Sequence, residues 1–454
     1  MPKSETVANL TTQVDSLFAE WNRPNTPGAA IAVIHDGEII YKNGYGMANL
    51  EYAIPITPKS IFHVASLSKQ FTSFAINLLA LEGKLSLDDE IHTHFPEFGD
   101  FGKPITLRNL RHHTSGLRDQ WDLLSLAGWR MEDVITEQDI LDIAWKQREL
   151  NFEPGAEYLY CNTGYTLLAV VVKRVSGKSL REFTQERIFT PLEMKDTHFH
   201  DDHRMIVPNR AYSYAPRESD FEHSILSFSN VGTTSLFTTV EDLAKWDQNF
   251  YDPVVGGTEA VAMLHDRFVL NDGTTIAYAA GLSIGEYRGL KRVDHSGADA
   301  GYRAHIVRFP DERFTVTVLS NRADANPGAL AYKVADIYLA DRLASVPVPA
   351  TAEPAAPKSE APMDLGADEL AEYCGDFFSD ELTAIYTLRV SDGKLLLRAR
   401  KGEISLQPTA QPDTFDSEAA KITFLRTRRK RIKGFTFNTG RVRNLYCRPF
   451  DVGY

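Results

Sequence analysis

Two rhythms of apolar and polar positions run along this chain. Phe71, Phe74, Ala75, Leu78 and Leu79 recur at i, i+3, i+4, i+7 and i+8, the period of a helix with one buried face. The spacing predicts a helix over 66–82, closed by Gly83, because glycine takes the left-handed conformation that ends helices. Apolar runs of strand length flank Asp36-Gly37, at 29–35 and 38–45, and recur at about 290–293, 302–309 and 314–319. Asp-Gly between two such runs is a hairpin signal. The five runs are expected to form one antiparallel sheet. Helical material between about 66 and 250 would make a separate subdomain, with the site in the cleft between sheet and helices.

The pattern changes near residue 345. Asn326-Pro327 opens an amphipathic helix to about 343, proline being suited to a first turn. Residues 345–364 are rich in proline and alanine without periodicity, the composition of an extended linker. Short alternating runs follow at 382–390, 394–399, 422–427, 434–437 and 442–447, as in a small antiparallel barrel. The expected organisation is an α/β (α+β) body over 1–344, a linker over 345–364 and a β-barrel over 365–454. The body's antiparallel sheet would be flanked by helices.

Composition sets bounds. Of 454 residues, 43% are hydrophobic and 24% charged, ordinary for a globular chain with a sizeable core. A net charge of −12 argues against nucleic acid as a partner. The longest purely apolar run, 167–172, is too short to cross a bilayer, so no membrane partner is expected. Three cysteines do not make a disulfide framework. Residues 1–6 lead into a polar stretch without the apolar core of a secretory signal. Cytoplasmic residence is expected, or a periplasmic or secreted one if a leader has been removed. Residues 365–454 carry fifteen Lys/Arg against twelve Asp/Glu, so the acidic excess lies in the body. Arg426, Arg428, Arg429, Lys430, Arg431 and Lys433 read first as a solvated barrel edge. Docking to the acidic body or to an anionic substrate is the other reading.

Candidate chemistry begins with Ser66-Leu67-Ser68-Lys69. Residues three apart share a helix face, so the Lys69 amine can reach the Ser66 hydroxyl. Partial burial would lower the lysine's pKa toward that of a usable base. Ser391-Asp392-Gly393-Lys394 has the same spacing, but Asp-Gly between alternating runs marks it as a hairpin. Two more motifs follow in order, Tyr160-Cys161-Asn162 before a helical run and His295-Ser296-Gly297 between strand-like runs. Tyr41-Lys42-Asn43 and His35-Asp36-Gly37 are decoys in the first hairpin.

On Ser66/Lys69, Tyr160/Asn162 and His295/Gly297 the chain resembles the serine β-lactamase and penicillin-recognising superfamily. The similar branch holds class C β-lactamases, D-Ala-D-Ala carboxypeptidases, D-aminopeptidases and β-lactamase-like esterases. Leu110-Arg-His-His-Thr-Ser-Gly-Leu117 and Leu236-Phe-Thr-Thr-Val-Glu-Asp-Leu243 add to the likeness. It covers roughly residues 8–343. His295 stands where the β-lactamases of this group have lysine, which fits peptidases and esterases better. The resemblance implies acyl transfer through Ser66, with Lys69 or Tyr160 as the base. Cationic Lys69 would lower the Tyr160 phenol by stabilising tyrosinate. It also implies an oxyanion hole from the N–H groups of Ser66 and Ala298, Asn162 orienting Lys69 and the substrate amide, and His295 bonded to the tyrosine or the substrate's polar end. No metal or organic cofactor is needed. Short peptides or amides are the expected substrates, with an esterase, an acyltransferase or a non-turnover sensor as alternatives. Self-assembly stays open. Relatives carry lipocalin-like barrels, and this one is expected to serve substrate choice or assembly and not the chemical step.

Other residues tempt a reading. Gly281-Leu-Ser-Ile-Gly285 matches a hydrolase elbow, which needs a strand before it and a helix after it. A hairpin is expected there instead. His198 to His203 could bind Zn²⁺, yet a solvated loop explains them. His112 and His113 read as hydrogen-bonded structural residues, Cys161 as a small residue packed under the site, and Cys374 and Cys447 as reduced barrel residues.

Overall fold

The computed structural model describes residues 4–344, 362–400 and 402–450. Residues 345–361 of the expected linker lie outside the described residues. Strands β1 (Ala29–His35) and β2 (Glu38–Tyr45) join β3 (Ser283–Tyr287), β4 (Leu290–Asp299), β5 (Tyr302–Phe309) and β6 (Phe314–Ser320). They form a six-stranded antiparallel sheet in the order β3-β4-β5-β6-β1-β2. β3 and β4 form the expected hairpin, which adds β3 as an edge strand to the five expected runs.

Both faces of the sheet are covered, so β1 reads as an unbroken buried run from Ala29 to Ile34. Ile31, Val33, Val316 and Val318 face the outer helices α1 (Ser4–Leu17) and α5 (Pro327–Tyr338), where Val14, Val334 and Ala335 meet them. Ala30, Ala32, Ala304 and Ile306 face the helical half and its central helix α2 (Ser68–Leu81). Phe71 and Phe74 of α2 are fully buried there, each stabilising the fold by about 1.5–3 kcal/mol. Gly83 ends α2 at φ 68° as expected. Helices α3 (Gln120–Leu126) and α4 (Asn162–Ser176) complete the part that matters for the site.

Eight strands close the C-terminal barrel: β7 (Gly375–Ser379), β8 (Ala384–Ser391), β9 (Lys394–Ala399), β10 (Gly402–Pro408), β11 (Thr414–Asp416), β12 (Lys421–Arg426), β13 (Ile432–Asn438) and β14 (Leu445–Pro449). Closure leaves no open edge, so the basic cluster does not guard one. It occupies the β12–β13 turn, and Arg426 pairs within the barrel with Asp413 and Glu372. Ser391 and Lys394 pair across the β8–β9 hairpin, as expected.

The barrel docks without the cluster's help. Leu123 and Leu124 of α3 share one apolar core with Tyr386, Phe435 and Phe437 of the barrel. Tyr386 donates to the Leu126 carbonyl at 2.7 Å.

Candidate active site

The nucleophile candidate sits just before the helix that was expected to begin with it. Ser66 lies in a short 3-10 turn, Ala65–Leu67, and α2 begins at Ser68. Ala65 enters the turn at φ 46°, a strained conformation costing about 1–3 kcal/mol that recurs at functional sites. The turn is held from the sheet side. A Cβ on Gly297 would fall 2.2 Å from the Val64 carbonyl oxygen, so only glycine lets β4 lie this close.

Lys69 is fully buried and all three of its protons are used. Its Nζ donates to Ser66 Oγ at 2.9 Å, to Asn162 Oδ1 at 2.9 Å and to the Thr233 carbonyl at 2.8 Å. Burial pushes its pKa down to about 7, against the carboxylates of Asp299 and Asp119, which hold it up. Asn162 is set in turn by Asp119, whose Oδ2 accepts from Asn162 N at 2.6 Å and Nδ2 at 2.8 Å. That fixes the amide with its oxygen toward Lys69 and the Thr233 hydroxyl.

Tyr160 places its hydroxyl against Ser66 and its ring under the Lys69 ammonium, 4.8 Å from Nζ to the centroid. Burial drives its pKa well above 10, the reverse of the expected depression. Desolvation of tyrosinate outweighs the neighbouring cation. Tyr160 is therefore a phenol at neutral pH, able to donate and not poised to abstract.

His295 bonds to neither Tyr160 nor the open cleft. Its Nδ1 donates to the Ser296 carbonyl at 2.6 Å, and its Nε2 accepts from Tyr278 Oη at 3.1 Å. A carbonyl can only accept, which assigns the tautomer. Burial, with Lys69 nearby, lowers its pKa to about 3, so the ring is neutral.

Ser66, Tyr160, Asn162, His295, Gly297 and Ala298 line one cleft of about 750 Å³, and Lys69 lies buried beneath Ser66. Residues that sequence reasoning missed complete it. Tyr278 comes from a segment before β3 with no motif around it, and Asp299 ends β4 just past the His295-Ser-Gly297 motif and accepts from Thr234. Arg441 reaches the cleft from the barrel, a contact that no local pattern signals.

The decoys sort themselves. Ser283 borders the cleft but starts β3, with no helix after it. His198 and His200 are not a solvated loop; they pack on Phe237 with ring centroids at 5.6 and 4.6 Å, and burial lowers both to about 4. His113 Nδ1 accepts from Cys161 N at 3.0 Å, and Cys161 is buried, its thiol donating to the Leu117 carbonyl. Cys374 is exposed and Cys447 buried, and both are free thiols.

Comparison with known proteins places the chain in a family. The chain is 29% identical over 333 residues to "Penicillin-binding protein 4*" of Bacillus subtilis, covering 70% of this chain and 73% of that one. It is 30% identical over 303 residues to a D-aminopeptidase of Gluconobacter oxydans, covering 66% of this chain but only 56% of the relative. The structure of an octameric penicillin-binding protein homologue from Pyrococcus abyssi superimposes with a TM-score of 0.63 at 24% identity, over 97% of this chain and 99% of that one. At that identity the likeness is one of fold, and it includes the C-terminal region. The Beta-lactamase family model matches residues 14–339, and the chain belongs to that family.

Proposed function

We propose that the protein is a serine hydrolase acting through an acyl-enzyme on Ser66, with short peptides or amides, D-residue-containing ones among them, as substrates. One observation carries the reading: a buried amine with its pKa near neutrality lies 2.9 Å from the Ser66 hydroxyl. Such a group accepts a proton at neutral pH, which an exposed lysine does not.

In the proposed cycle the Ser66 proton passes to neutral Lys69 as Oγ attacks the substrate carbonyl carbon. The oxyanion that forms faces the N–H groups of Ser66 and Ala298; such a donor is worth about 3 kcal/mol. Tyr160 relays the proton from Lys69 to the departing amine, the C–N bond breaks, and Ser66 is left as an ester. Water then attacks the ester carbonyl, the proton returns by the same path, and the acid is released. Asn162 keeps the Lys69 amine aimed at Ser66. Neutral His295 closes the wall with Tyr278.

The substrate class rests on kinship with a D-aminopeptidase and on His295, a neutral ring where β-lactamases of the resembling group carry lysine. β-Lactamase activity is expected to be weak at most. A carboxylesterase or acyltransferase would share the acyl-enzyme and differ in leaving group or acceptor. A sensor would keep its adduct. Short peptides and amides with L- or D-residues at either end, assayed beside p-nitrophenyl esters, test the reading, with intact-mass spectra following the adduct. Preference for amides with transient acylation supports it. Turnover of esters alone, or an adduct that never leaves, overturns it. Self-assembly belongs to the same proposal, since one relative is described as octameric, and light scattering measures it.

A further inference from the structure

The barrel was expected to stand apart from the chemistry, yet the β13–β14 loop enters the cleft. Arg441 is held through both its backbone and its guanidinium. Its N–H donates to Asp122 Oδ2 at 3.1 Å, and its Nη2 to Asp122 Oδ1 at 3.0 Å. Its carbonyl accepts from Asn151 Nδ2 at 3.0 Å and from Asp119 N at 3.3 Å. Its Nη1 stands 3.4 Å from Asp119 Oδ2. That oxygen is the one that receives both Asn162 bonds.

We propose that Arg441, supplied by the barrel, is a positioning residue of the catalytic site: it pins the Asp119 carboxylate that aims Asn162 at Lys69. The inference rests on the reading of Ser66 and Lys69 given above. A fully buried carboxylate with amide partners alone, Trp121 N on Oδ1 and Asn162 on Oδ2, is costly to keep charged, and a guanidinium beside Oδ2 offsets that cost. The remaining groups around the pair do not replace it. Asp122 on α3 repels Asp119, and Asn162 on α4 is neutral. Around Lys69 stand Asp299 on β4, the Cys161 thiol, and His113 and His295, both held neutral by burial. Arg303 faces Asp299 and not Asp119.

A second consequence has a definite sign. Arg441 lowers the pKa of Asp119 and also that of Lys69. Without it both rise, so an ionised Asp119 beside a neutral Lys69 is reached only at higher pH.

The test uses the full chain, a p-nitrophenyl ester and rates from pH 5 to 9. Arg441→Gln is expected to lower kcat about tenfold or more with KM within threefold, the size of a misaimed catalytic group. It should also move the acid limb of kcat/KM up by about one pH unit, and Arg441→Lys should recover most of that shift. Arg443→Gln, on the same loop, breaks the rim pair with Glu157 at 3.0 Å and the contact with the Phe152 ring, and should leave the limb in place. In an Asp119→Asn background, Arg441→Gln should add little. If Arg441→Gln does not fold by circular dichroism, Arg441→Met keeps the stem and replaces it. Equal behaviour of the Arg441 and Arg443 variants, or a loss confined to KM, overturns the proposal and leaves Arg441 a clasp between domains. Ser66→Ala runs beside them: if it retains activity, the acyl-enzyme reading fails, a result separate from an unshifted Arg441→Gln limb.

Discussion

Arg118 Nη1 lies 2.6 Å from Glu381 Oε2, and this buried pair joins the body to the barrel. Nη2 and Nε of the same arginine donate to the Arg443 carbonyl at 2.9 and 3.2 Å, so barrel atoms take three of its hydrogen bonds, and Glu149 of the body stands 3.8 Å from Nη2. Glu381→Ala strands a buried cation and is expected to cost about 3–5 kcal/mol. Replacing both partners, Arg118→Met with Glu381→Leu, is expected to cost much less. Denaturant midpoints check both, and a loss below about 1 kcal/mol for Glu381→Ala would mean that water reaches the pair.

Ser66→Ala is expected to abolish acyl transfer. Ser283→Ala and Ser391→Ala should leave it largely intact, one being a strand start at the cleft rim and the other a hairpin residue. Activity of Ser66→Ala within tenfold of the parent would sink the assignment.

Lys69→Ala and Tyr160→Phe should each lower kcat by about 10²–10⁴-fold with smaller changes in KM, since the proposed cycle has both act on a proton in flight. A variant altered only in KM belongs to binding.

The acid limb of kcat/KM should fall near pH 7, because Lys69 accepts a proton only when neutral and its pKa is lowered to about 7. Asp299 is the foremost charge holding that pKa up. Asp299→Asn removes the anion that favours the ammonium, so the limb should move to lower pH, opposite to the Arg441 variant. A limb that stays put in Asp299→Asn would assign it to another group.

His295 should contribute no limb between pH 5 and 8, since it protonates only near about 3. Imidazole NMR shifts across that range should stay those of the neutral ring. A limb in this window that vanishes in His295→Gln would contradict the bond to Tyr278.

Periodicity located the sheet well where side chains alternate between two apolar partners: β1, β2 and β5 have the expected bounds. It missed Gly375–Ser379, Gly402–Pro408 and Thr414–Asp416, short or glycine-bearing segments that borrow their order from neighbouring strands. Ser66, Lys69, Tyr160, Asn162 and His295 were legible because local spacing and neighbouring turns marked them. Asp119, Thr233, Tyr278 and Arg441 were not. Asp119 meets Asn162 across 43 residues of sequence, and Arg441 meets Asp119 from another domain. Only tertiary packing writes such pairs. The tyrosine was misjudged for a related reason, since the burial that raises its pKa is invisible in its flanking residues.

The contact at Gly297 sets a limit on how this site can change. The sheet meets the nucleophile's turn backbone to backbone, with no room there for even a methyl group. The spacing between β4 and the Ser66 turn is thus set by main-chain contact and cannot be tuned by exchanging side chains at that point. Widening it would require moving β4 as a whole, and with it the sheet register. Adjustment in this architecture is then open at the cleft's other lining residues, such as Tyr158 and Met131, while the distance between β4 and the Ser66 turn stays the same.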